Sequence, residues 1–521
     1  MTEISKQDPV VVIIGSGAAG GTVAHELVTR GIKVVLLEAG REIGAAEFIQ
    51  EDMASFGQLT WTDKRRATGN WLAATASPYM PLWTVKAVGG STLHWNGLAY
   101  RMQAHEFEPL TRYGRVAGAS LADWPISLGE LLPFYERAED KLGVTGTHGI
   151  PRHPANNNYR VLWNAARRAG YRAISNGNLA INSEARDGRA GCIQMGFCNQ
   201  GCKINAKWST QASEIPKAIA TGKLDLRTGC MAVRIEHDAS GRASAVVYRD
   251  GNGALQSQRA RVVCVAGNAV ETARLLLQSD SGKFSSGLGN GWGHVGRHYM
   301  HHVGGGTFGV MPKPVNMHRG ISVPGSMFDE ARHDEARGFV GGYLIQAMSV
   351  APAFLASLLD PADWGERNAE FMEKYDHLAG LLICGEDMPR ADNRVTLDHK
   401  ELDALGLPIP CIHVDVHDND KRMEAHGRLT TRALMDAVGA VDVRQVRTAL
   451  ATHNMGTARM SRRPEDGVVD SFGRVHEVTN LFVSDGSVFP SSSAENPTLT
   501  IVALALRQAN SIAERLGRGE L

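Results

Sequence analysis

The sequence from Pro9 to Arg41, PVVVIIGSGAAGGTVAHELVTRGIKVVLLEAGR, decides the fold of this chain. An unbroken apolar run, Val10–Ile14, leads into a glycine-rich turn and a helical pattern, and a second apolar run, Val34–Leu37, follows. This order of strand, glycine turn, helix and strand is typical of a βαβ unit. We therefore predict an α/β fold that opens with a Rossmann-like domain.

Three glycines in this unit match the dinucleotide fingerprint GxGxxG. Gly15 makes the tight turn, Gly17 lets backbone N–H groups approach a pyrophosphate, and Gly20 lets the helix close onto the strand. The helix N-terminus then faces the phosphates with its partial positive charge. Glu38, eighteen residues after Gly20, stands where an acid accepts a hydrogen bond from a ribose hydroxyl. An acid at this position disfavours a 2′-phosphate, so we predict NAD or FAD rather than NADP.

The bulk composition excludes several classes of protein. The chain has 521 residues, with 55 Lys plus Arg balanced by 55 Asp plus Glu, so no global field attracts nucleic acid. It carries no apolar stretch long enough to span a membrane, and its first residues, MTEISKQDP, lack the apolar core of a signal peptide. We expect a cytoplasmic enzyme without a nucleic-acid partner, with periplasmic location by co-export on a partner as the alternative.

A second glycine-rich stretch begins at Lys86, KAVGGSTLHWNGLAYR. Within it, small and polar side chains are packed into an apolar frame, a density that suits a loop pressed against a ligand. The chain then runs through an Asn-, Arg- and Gly-rich region, about 150–206, that contains three clustered cysteines.

Further strands and helices are predicted downstream. Residues 224–238 and 243–250 predict strands of a small meander, and 259–279 predicts a buried strand, a small-residue turn and a helix. Residues 303–350 and 378–417 alternate like strands, with a helical segment at about 352–375 between them. We expect this block to form a second domain on an antiparallel or mixed sheet.

The C-terminal part returns to the first domain. After a helix near 419–438, a strand is predicted at Leu481–Ser484, and a long final helix begins near Pro497. Asn496 is the predicted N-cap of that helix.

Seven blocks in this order resemble the glucose-methanol-choline (GMC) oxidoreductases, FAD-dependent enzymes that oxidise alcohols and sugars. The blocks are GxGxxG with Glu38, VGGSTLHWN, AGNAVETARLLL, GWGHVGRHYMHH, HNMGTARM, SDGSVFP and NPTLTIVALALR. The similarity is to the bacterial branch that contains pyranose oxidases, glycoside 3-oxidases and the flavoprotein subunits of glucose, gluconate and sorbitol dehydrogenases.

The resemblance implies a domain organisation. The Rossmann-like FAD-binding domain is assembled from separated segments, here 1–150, 211–304 and 446–521, with an insertion bearing the cysteine cluster at 151–210. The remaining block, 305–445, is an α+β substrate domain with an antiparallel or mixed sheet.

Two residues fall on the family's catalytic positions. His453 matches the active-site histidine, and Asn496 matches its polar partner. Removing hydride from an alcohol requires that the hydroxyl proton leave as well, and an imidazole with a pKa near 6.5 accepts it near neutral pH. The alternative for His453 is a satisfied core histidine, and for Asn496 a simple helix cap.

Several further residues are implied in FAD binding. Gly89, Gly90, Asn96 and Gly97 belong to the loop beside the flavin. His94 falls where pyranose oxidases attach FAD covalently, and the resemblance leaves two roles open, covalent attachment or packing beside the isoalloxazine ring. The family's contacts to the ribityl, pyrophosphate and adenine parts of FAD fall on Asp485, Gly486 and Val233.

The clustered cysteines, Cys192, Cys198 and Cys202, are spaced C-x5-C-x3-C. Three thiolates in eleven residues can ligate three irons of a cluster or one zinc. Related dehydrogenase subunits carry a [3Fe–4S] cluster on a similar set. Here Gly191 stands where that pattern has an extra cysteine, and Lys203 replaces a proline, so free thiols or a disulfide are the alternatives.

The resemblance implies FAD-dependent oxidation of an alcohol group of a sugar, glycoside or polyol. His453 serves as the base and flavin N5 accepts the hydride. The alternatives are a nonsugar alcohol as substrate, a redox-neutral lyase, or a binding subunit without turnover. Oxygen, a quinone or a cytochrome is the expected electron acceptor, and an accessory subunit is a further expected partner. The histidines at 298, 301 and 302 are interpreted as structural, with His302 the candidate for lining a cavity, and Glu386 and Arg394 as pocket neighbours without an assigned role.

Overall fold

The computed structural model describes residues 3–61, 64–75, 81–359, 365–446 and 452–521. Their strands are β1 (Val10–Ile14), β2 (Val34–Leu37), β3 (Thr60–Trp61), β4 (Ala67–Gly69), β5 (Pro81–Thr84), β6 (Ile174–Ser175), β7 (Leu224–Arg227), β8 (Met231–His237), β9 (Ala243–Arg249), β10 (Leu255–Val265), β11 (Val303–Val310), β12 (Gly325–Met327), β13 (Tyr343–Ala347), β14 (Leu378–Gly385), β15 (Arg394–Leu402), β16 (Pro408–Val414), β17 (Asp442–Val446) and β18 (Leu481–Val483).

The α-helices of the same residues are α1 (Ala18–Val28), α2 (Leu72–Thr75), α3 (Pro109–Tyr113), α4 (Leu128–Leu142), α5 (Asn157–Arg168), α6 (Glu214–Ala220), α7 (Ala269–Leu277), α8 (Pro352–Leu358), α9 (Glu366–Glu373), α10 (Asp418–Ala437) and α11 (Thr498–Gly517). The predicted βαβ unit is confirmed as β1, α1 and β2. Residues 360–364, inside the predicted helical segment 352–375, lie outside the described residues.

The nucleotide-fold sheet has the order β7-β2-β1-β10-β9-β8, and β18 pairs with the other side of β10. Strands β7, β2, β1, β10 and β18 are parallel, which brings the carboxyl ends of β1 and β10 to one edge. The eleven-residue β10 joins the antiparallel and the parallel parts of this sheet. Its first half pairs antiparallel with β9, and its second half pairs parallel with β1. The prediction that Leu224–Arg227 belongs to the meander is wrong, since this strand pairs parallel with β2.

The second sheet has the order β17-β11-β14-β13-β12-β6 and is antiparallel throughout. Helix α10, predicted at 419–438, covers this sheet through its buried Met423, Leu434 and Met435. The buried side chains of β11, β13 and β14 form the core of this layer. The predicted antiparallel or mixed sheet is thereby confirmed.

The long final helix α11 packs on the nucleotide-fold sheet. Its apolar side chains, among them Leu499 and Val502, are fully buried in the core that includes β1 and β10. The described helices include none that is both long enough and apolar enough to cross a membrane.

Candidate active site

One cavity of about 410 Å³ connects the nucleotide fingerprint to the predicted catalytic residues. Its walls come from the carboxyl ends of β1, β2 and β10, from the loop that follows Lys86, and from the segment before α11. The second sheet contributes the wall opposite. The cavity therefore lies where an open α/β sheet binds a dinucleotide, outside the carboxyl ends of its parallel strands.

The three fingerprint glycines take the positions that their predicted tasks require. Gly15 has a φ of +94°, and a Cβ atom there would lie 2.4 Å from the Ala266 carbonyl oxygen. A Cβ on Gly20 would lie 1.9 Å from the Gly15 carbonyl oxygen. A Cβ on Gly17 would meet nothing within 4 Å, so the backbone there faces open space in the cavity. This cradle fits the pyrophosphate of a dinucleotide.

Glu38 lines the cavity at the end of β2, and three donors converge on its carboxylate. Ser16 donates its N–H at 3.0 Å and its hydroxyl at 2.6 Å, and Gly40 donates its N–H at 2.8 Å. Burial raises the pKa of Glu38, and these hydrogen bonds oppose that shift. Ser16, which the sequence analysis missed, also accepts the Gly89 N–H at 3.0 Å and so joins the two glycine-rich loops.

The loop after Lys86 approaches the fingerprint closely. Gly89, Gly90 and Gly97 all have positive φ, and a Cβ on Gly90 would lie 3.0 Å from the Gly17 Cα atom. Asn96 lines the cavity, and its buried Oδ1 atom has no hydrogen-bond partner among the described residues. An orphaned acceptor in a cavity wall is what a bound polar ring would satisfy.

His94 lies behind this loop. It is 1% exposed and does not belong to the described residues that line the cavity, although its neighbour Trp95 does. Its Nδ1 atom contacts the Asn199 carbonyl oxygen at 3.1 Å, and Nε2 is buried without a partner in the described part of the chain. Burial, with the nearby charge of Lys207, lowers the pKa of His94 to about 4.

Lys207, which the sequence analysis missed, hydrogen-bonds to the backbone of the loop that follows Lys86. Its ammonium group donates to the carbonyl oxygens of Leu93 at 2.8 Å, Trp95 at 2.8 Å and Thr92 at 3.3 Å. Burial lowers the pKa of Lys207 to about 8. A lysine in an apolar frame was the available signal, since buried lysines are rare unless their donors are used.

Asp485 and Gly486 line the cavity beside the start of α7. The Asp485 carboxylate accepts the Asn268 N–H at 2.9 Å and the Thr272 hydroxyl at 2.6 Å. Asn268 in turn caps α7, at the small-residue turn predicted within 259–279.

Val233 does not line the cavity within the described structure, whereas Met231 and Ala232 do. Its carbonyl oxygen accepts the Gln278 amide at 2.8 Å, and Gln278 is a lining residue. A backbone contact from Val233 to the adenine therefore stays a prediction.

His453 and Asn496 meet at the far end of the cavity. Their side chains are joined by a contact of 3.3 Å between Asn496 Nδ2 and His453 Nε2, and both line the wall. His453 has a φ of +59°, an uncommon backbone conformation for a residue with a side chain. Such conformations cluster at functional sites, where the surrounding structure enforces them.

A third residue, His302, completes this site. Its Nδ1 atom lies 2.7 Å from His453 Nδ1, and its Nε2 atom lies 3.0 Å from the Ser493 carbonyl oxygen. An antiparallel bridge pairs Met300 with Met455, and this register sets residue 302 opposite residue 453. The shared spacing of methionine and histidine in MHH and HNM was the sequence signal, but it has no meaning until the two segments pair.

The Ser493 carbonyl oxygen, at the end of this series of hydrogen bonds, fixes which ring nitrogens carry protons. Because the Ser493 oxygen can only accept, His302 Nε2 carries a proton. Burial lowers the pKa of His302 well below its usual value, so the ring is neutral and its Nδ1 accepts. His453 must then carry its proton on Nδ1, which leaves a lone pair on Nε2. Burial lowers the pKa of His453 to about 4, further from neutrality than the sequence analysis expected.

The prediction that Asn496 caps the final helix is wrong. Pro497 occupies the cap position of α11, without a side-chain cap hydrogen bond. The Asn496 side chain turns away from the helix, where its Oδ1 atom accepts the Gln346 amide at 2.9 Å.

The clustered cysteines lie beside the loop that Lys207 holds. Cys192, Cys198 and Cys202 are free thiols, packed against an apolar cluster that includes Cys384. A single zinc ion would draw thiolates to about 3.8 Å from one another. In the described part of the chain, the three sulfur atoms of these cysteines do not all lie within 4.8 Å of one another. Burial raises the pKa of Cys192 to about 11.

Two models of the GMC oxidoreductase family match this chain, one over residues 12–304 and the other over residues 389–505. The chain belongs to the GMC oxidoreductases. It is therefore an FAD-dependent oxidoreductase of the group that acts on alcohols, as its sequence blocks predicted.

This GMC oxidoreductase has curated relatives with different substrates. It is 31% identical to 2-methyl-1,2-propanediol dehydrogenase of Mycolicibacterium austroafricanum, over 97% of this chain and 95% of the relative. It is 27% identical to the fructose dehydrogenase large subunit of Gluconobacter japonicus, over 98% of both chains. The fold is similar to the crystal structure of pyridoxine 4-oxidase from Mesorbium loti, with a TM-score of 0.67 and 18% identity over 97% of this chain and 99% of that one.

Proposed function

We propose that this enzyme oxidises an alcohol by hydride removal from the carbinol carbon while His453 takes the hydroxyl proton. The observation that carries the proposal is the placement of His453 Nε2 beside Asn496 Nδ2 in the cavity that begins at the fingerprint glycines. Bound FAD would be held by the fingerprint turn, Glu38, Asn96 and Asp485, and it supplies the hydride acceptor.

The protein residues divide the proton chemistry. His453 Nε2, with its lone pair toward the cavity, accepts the substrate hydroxyl proton. Asn496 Nδ2 can donate a hydrogen bond to the same oxygen. Because an amide does not titrate, this donor is present at every pH. His302 keeps the proton of neutral His453 on Nδ1. The burial that lowers the pKa of His453 also excludes bulk water from the reacting atoms.

The proposed substrate is a sugar, glycoside or polyol. The fructose dehydrogenase relative supports this class, and Ser349 of the opposite wall offers a polar group to a substrate hydroxyl. A nonsugar alcohol is the second candidate, because Met348, Val350 and Phe354 make much of the same wall apolar. The 2-methyl-1,2-propanediol dehydrogenase relative supports this alternative.

Anaerobic mixing with an alcohol panel tests the proposal. Sugars, glycosides, polyols and simple alcohols are mixed with the enzyme, and the bleaching of flavin absorbance is followed. Reduction by any of these alcohols supports the function, and the ranking of rates assigns the class. A loaded enzyme whose flavin no alcohol bleaches would favour redox-neutral lyase chemistry. His453→Ala is expected to slow reduction by about a hundredfold or more, and an unchanged rate would remove the proposed base.

Two properties of the cofactors can be tested on the purified protein: whether FAD is covalently attached, and whether the cysteines bind an iron-sulfur cluster. We propose dissociable FAD, because His94 is turned toward Asn199 and away from the cavity wall. Acid precipitation that leaves the yellow colour in the pellet would instead assign covalent attachment at His94. A broad brown absorbance and one iron-sulfur EPR signal, both lost on replacing Cys192, Cys198 and Cys202, would assign a [3Fe–4S] cluster.

The electron acceptor follows from that spectrum. A cluster would favour a cytochrome acceptor and export to the periplasm with a partner. The large-subunit relative supports an accessory subunit. A clusterless enzyme would favour oxygen or a quinone and the cytoplasm. Acceptor assays with the purified chain distinguish these proposals.

A further inference from the structure

Asn496 has two orientations that differ only in which amide atom faces His453. In one orientation Nδ2 donates to His453 Nε2, and in the other Oδ1 faces it. The second orientation would place two acceptors against each other, because His453 carries its neutral proton on Nδ1. The catalytic pair therefore works only if something selects the first orientation.

Gln346 is the residue placed to make that selection. It lies on β13 of the second sheet, is 3% exposed, and lines the cavity. Its Nε2 atom donates to Asn496 Oδ1 at 2.9 Å in buried surroundings. A donor on this side holds Oδ1 and leaves Nδ2 for His453.

The hydrogen-bond chain has a single direction along its whole length. It runs from Gln346 through Asn496, His453 and His302 to the Ser493 carbonyl oxygen, and each member donates to the next. The Ser493 carbonyl oxygen can only accept, and this fixes the donor and acceptor at each following hydrogen bond in turn. The last step requires that Gln346 donates to Asn496.

We propose that Gln346 is a positioning residue that orients the Asn496 amide, so that the sheet opposite the nucleotide fold sets the proton-accepting state of the base. The inference rests on the proposed function of His453 and Asn496. It adds a residue that reaches the reaction through Asn496, and it makes the alignment of the two sheets a condition for turnover.

A double-mutant cycle tests whether Gln346 acts through Asn496. Gln346→Met removes the donor at similar length and is expected to slow flavin reduction about tenfold in the wild-type background. The same change is expected to have no further effect in Asn496→Ala, because its target is gone. Equal losses in both backgrounds would overturn the proposal. Gln445→Met is the matched control, since Gln445 is an exposed residue of the same sheet that does not line the cavity.

The pH profile gives a second readout. The carboxylate introduced by Gln346→Glu accepts rather than donates, so Asn496 turns its Nδ2 toward it and presents Oδ1 to His453 Nε2. That oxygen favours a proton on Nε2, and the acidic limb of kcat/KM is expected to move to higher pH. Gln445→Glu should leave the limb in place. An equal shift when Gln346→Glu is combined with Asn496→Ala would come from the charge of the new carboxylate alone and would overturn the positioning role. A Gln346→Glu variant that loses rate without moving the limb, or moves only KM, would overturn the positioning role.

The visible flavin spectrum of each variant shows that it is folded and loaded. The two proposals fail separately. Wild-type flavin that no alcohol reduces would remove the proposed function. Wild-type reduction combined with Gln346 variants that behave like the Gln445 controls would remove this inference alone.

Discussion

The Nδ1 atoms of His302 and His453 lie 2.7 Å apart, although the two residues are 151 positions apart in the chain. One of the two nitrogens must donate and the other accept, and the Ser493 carbonyl oxygen on the far side of His302 decides which. The pair is thus a device that fixes a tautomer. It leaves the reactive nitrogen of His453 unprotonated in the cavity wall, where Asn496 Nδ2 donates to its lone pair at 3.3 Å.

Replacement of His302 should expose this role. His302→Ala is expected to slow flavin reduction by about 10- to 100-fold, because His453 then populates the wrong tautomer. His302→Gln should retain more activity, since its amide can accept from His453 and donate to Ser493. Stopped-flow reduction measures both, and His298→Gln is the control, because His298 bonds with Ser120 and His294 instead. Equal losses of flavin-reduction rate in the two His302 variants would show that His302 contributes only packing.

The pH dependence of the base should lie below that of an ordinary histidine. Burial lowers the pKa of His453 to about 4, and the nearby charge of His301 acts in the same direction. The neutral ring is the active form, so kcat/KM should fall only as the pH drops through about 4 and should be flat above it. Flavin reduction measured across pH locates this limb. A limb centred at 6.5 would show that the loaded site does not desolvate the ring.

Lys207 should be required for retention of the cofactor. Lys207→Met leaves the carbonyl oxygens of Thr92, Leu93 and Trp95 without their donor, and we expect a loss of about 2–3 kcal/mol in unfolding free energy. FAD should dissociate more readily because this loop forms the cavity wall. Thermal unfolding and flavin release on gel filtration measure both effects. Lys203→Met, at an exposed site nearby, should match the wild type.

Glu26 should make stability depend on acid pH. Burial opposes its ionisation, but the neighbouring His25 side chain and the charges of Lys141 and Arg137 outweigh burial and lower its pKa to about 2. Stability from the ionised form is present above the unfolded value of 4.5 and is lost as the pH falls toward 2. Glu26→Gln should cost about 2 kcal/mol at neutral pH, discounted because Arg137 is partly exposed. Denaturant unfolding of both proteins should converge near pH 2, and parallel curves would contradict the assignment.

The local parts of the fold and site could be predicted because their signals are short-range. The fingerprint glycines, the strand-turn-helix at Asn268 and helix α10 all lie where the sequence indicated. The prediction for β7 was wrong because its alternating pattern does not say which strand it pairs with. Asn496 was wrongly predicted as a cap because an asparagine before a helix has two uses, and only its contact with Gln346 decides between them.

By itself, the sequence determined the βαβ nucleotide fold and the acid that follows β2, since each depends on residue type and spacing within a short segment. The candidate pair His453 and Asn496 came from the resemblance of two separate segments to one family. Only the tertiary structure decided which groups control that pair. His302, Gln346 and Lys207 come from distant segments, and their roles depend on strand register and on directional hydrogen bonds between buried groups. A buried donor or acceptor must find its partner in space, and the linear order of residues does not specify that partner.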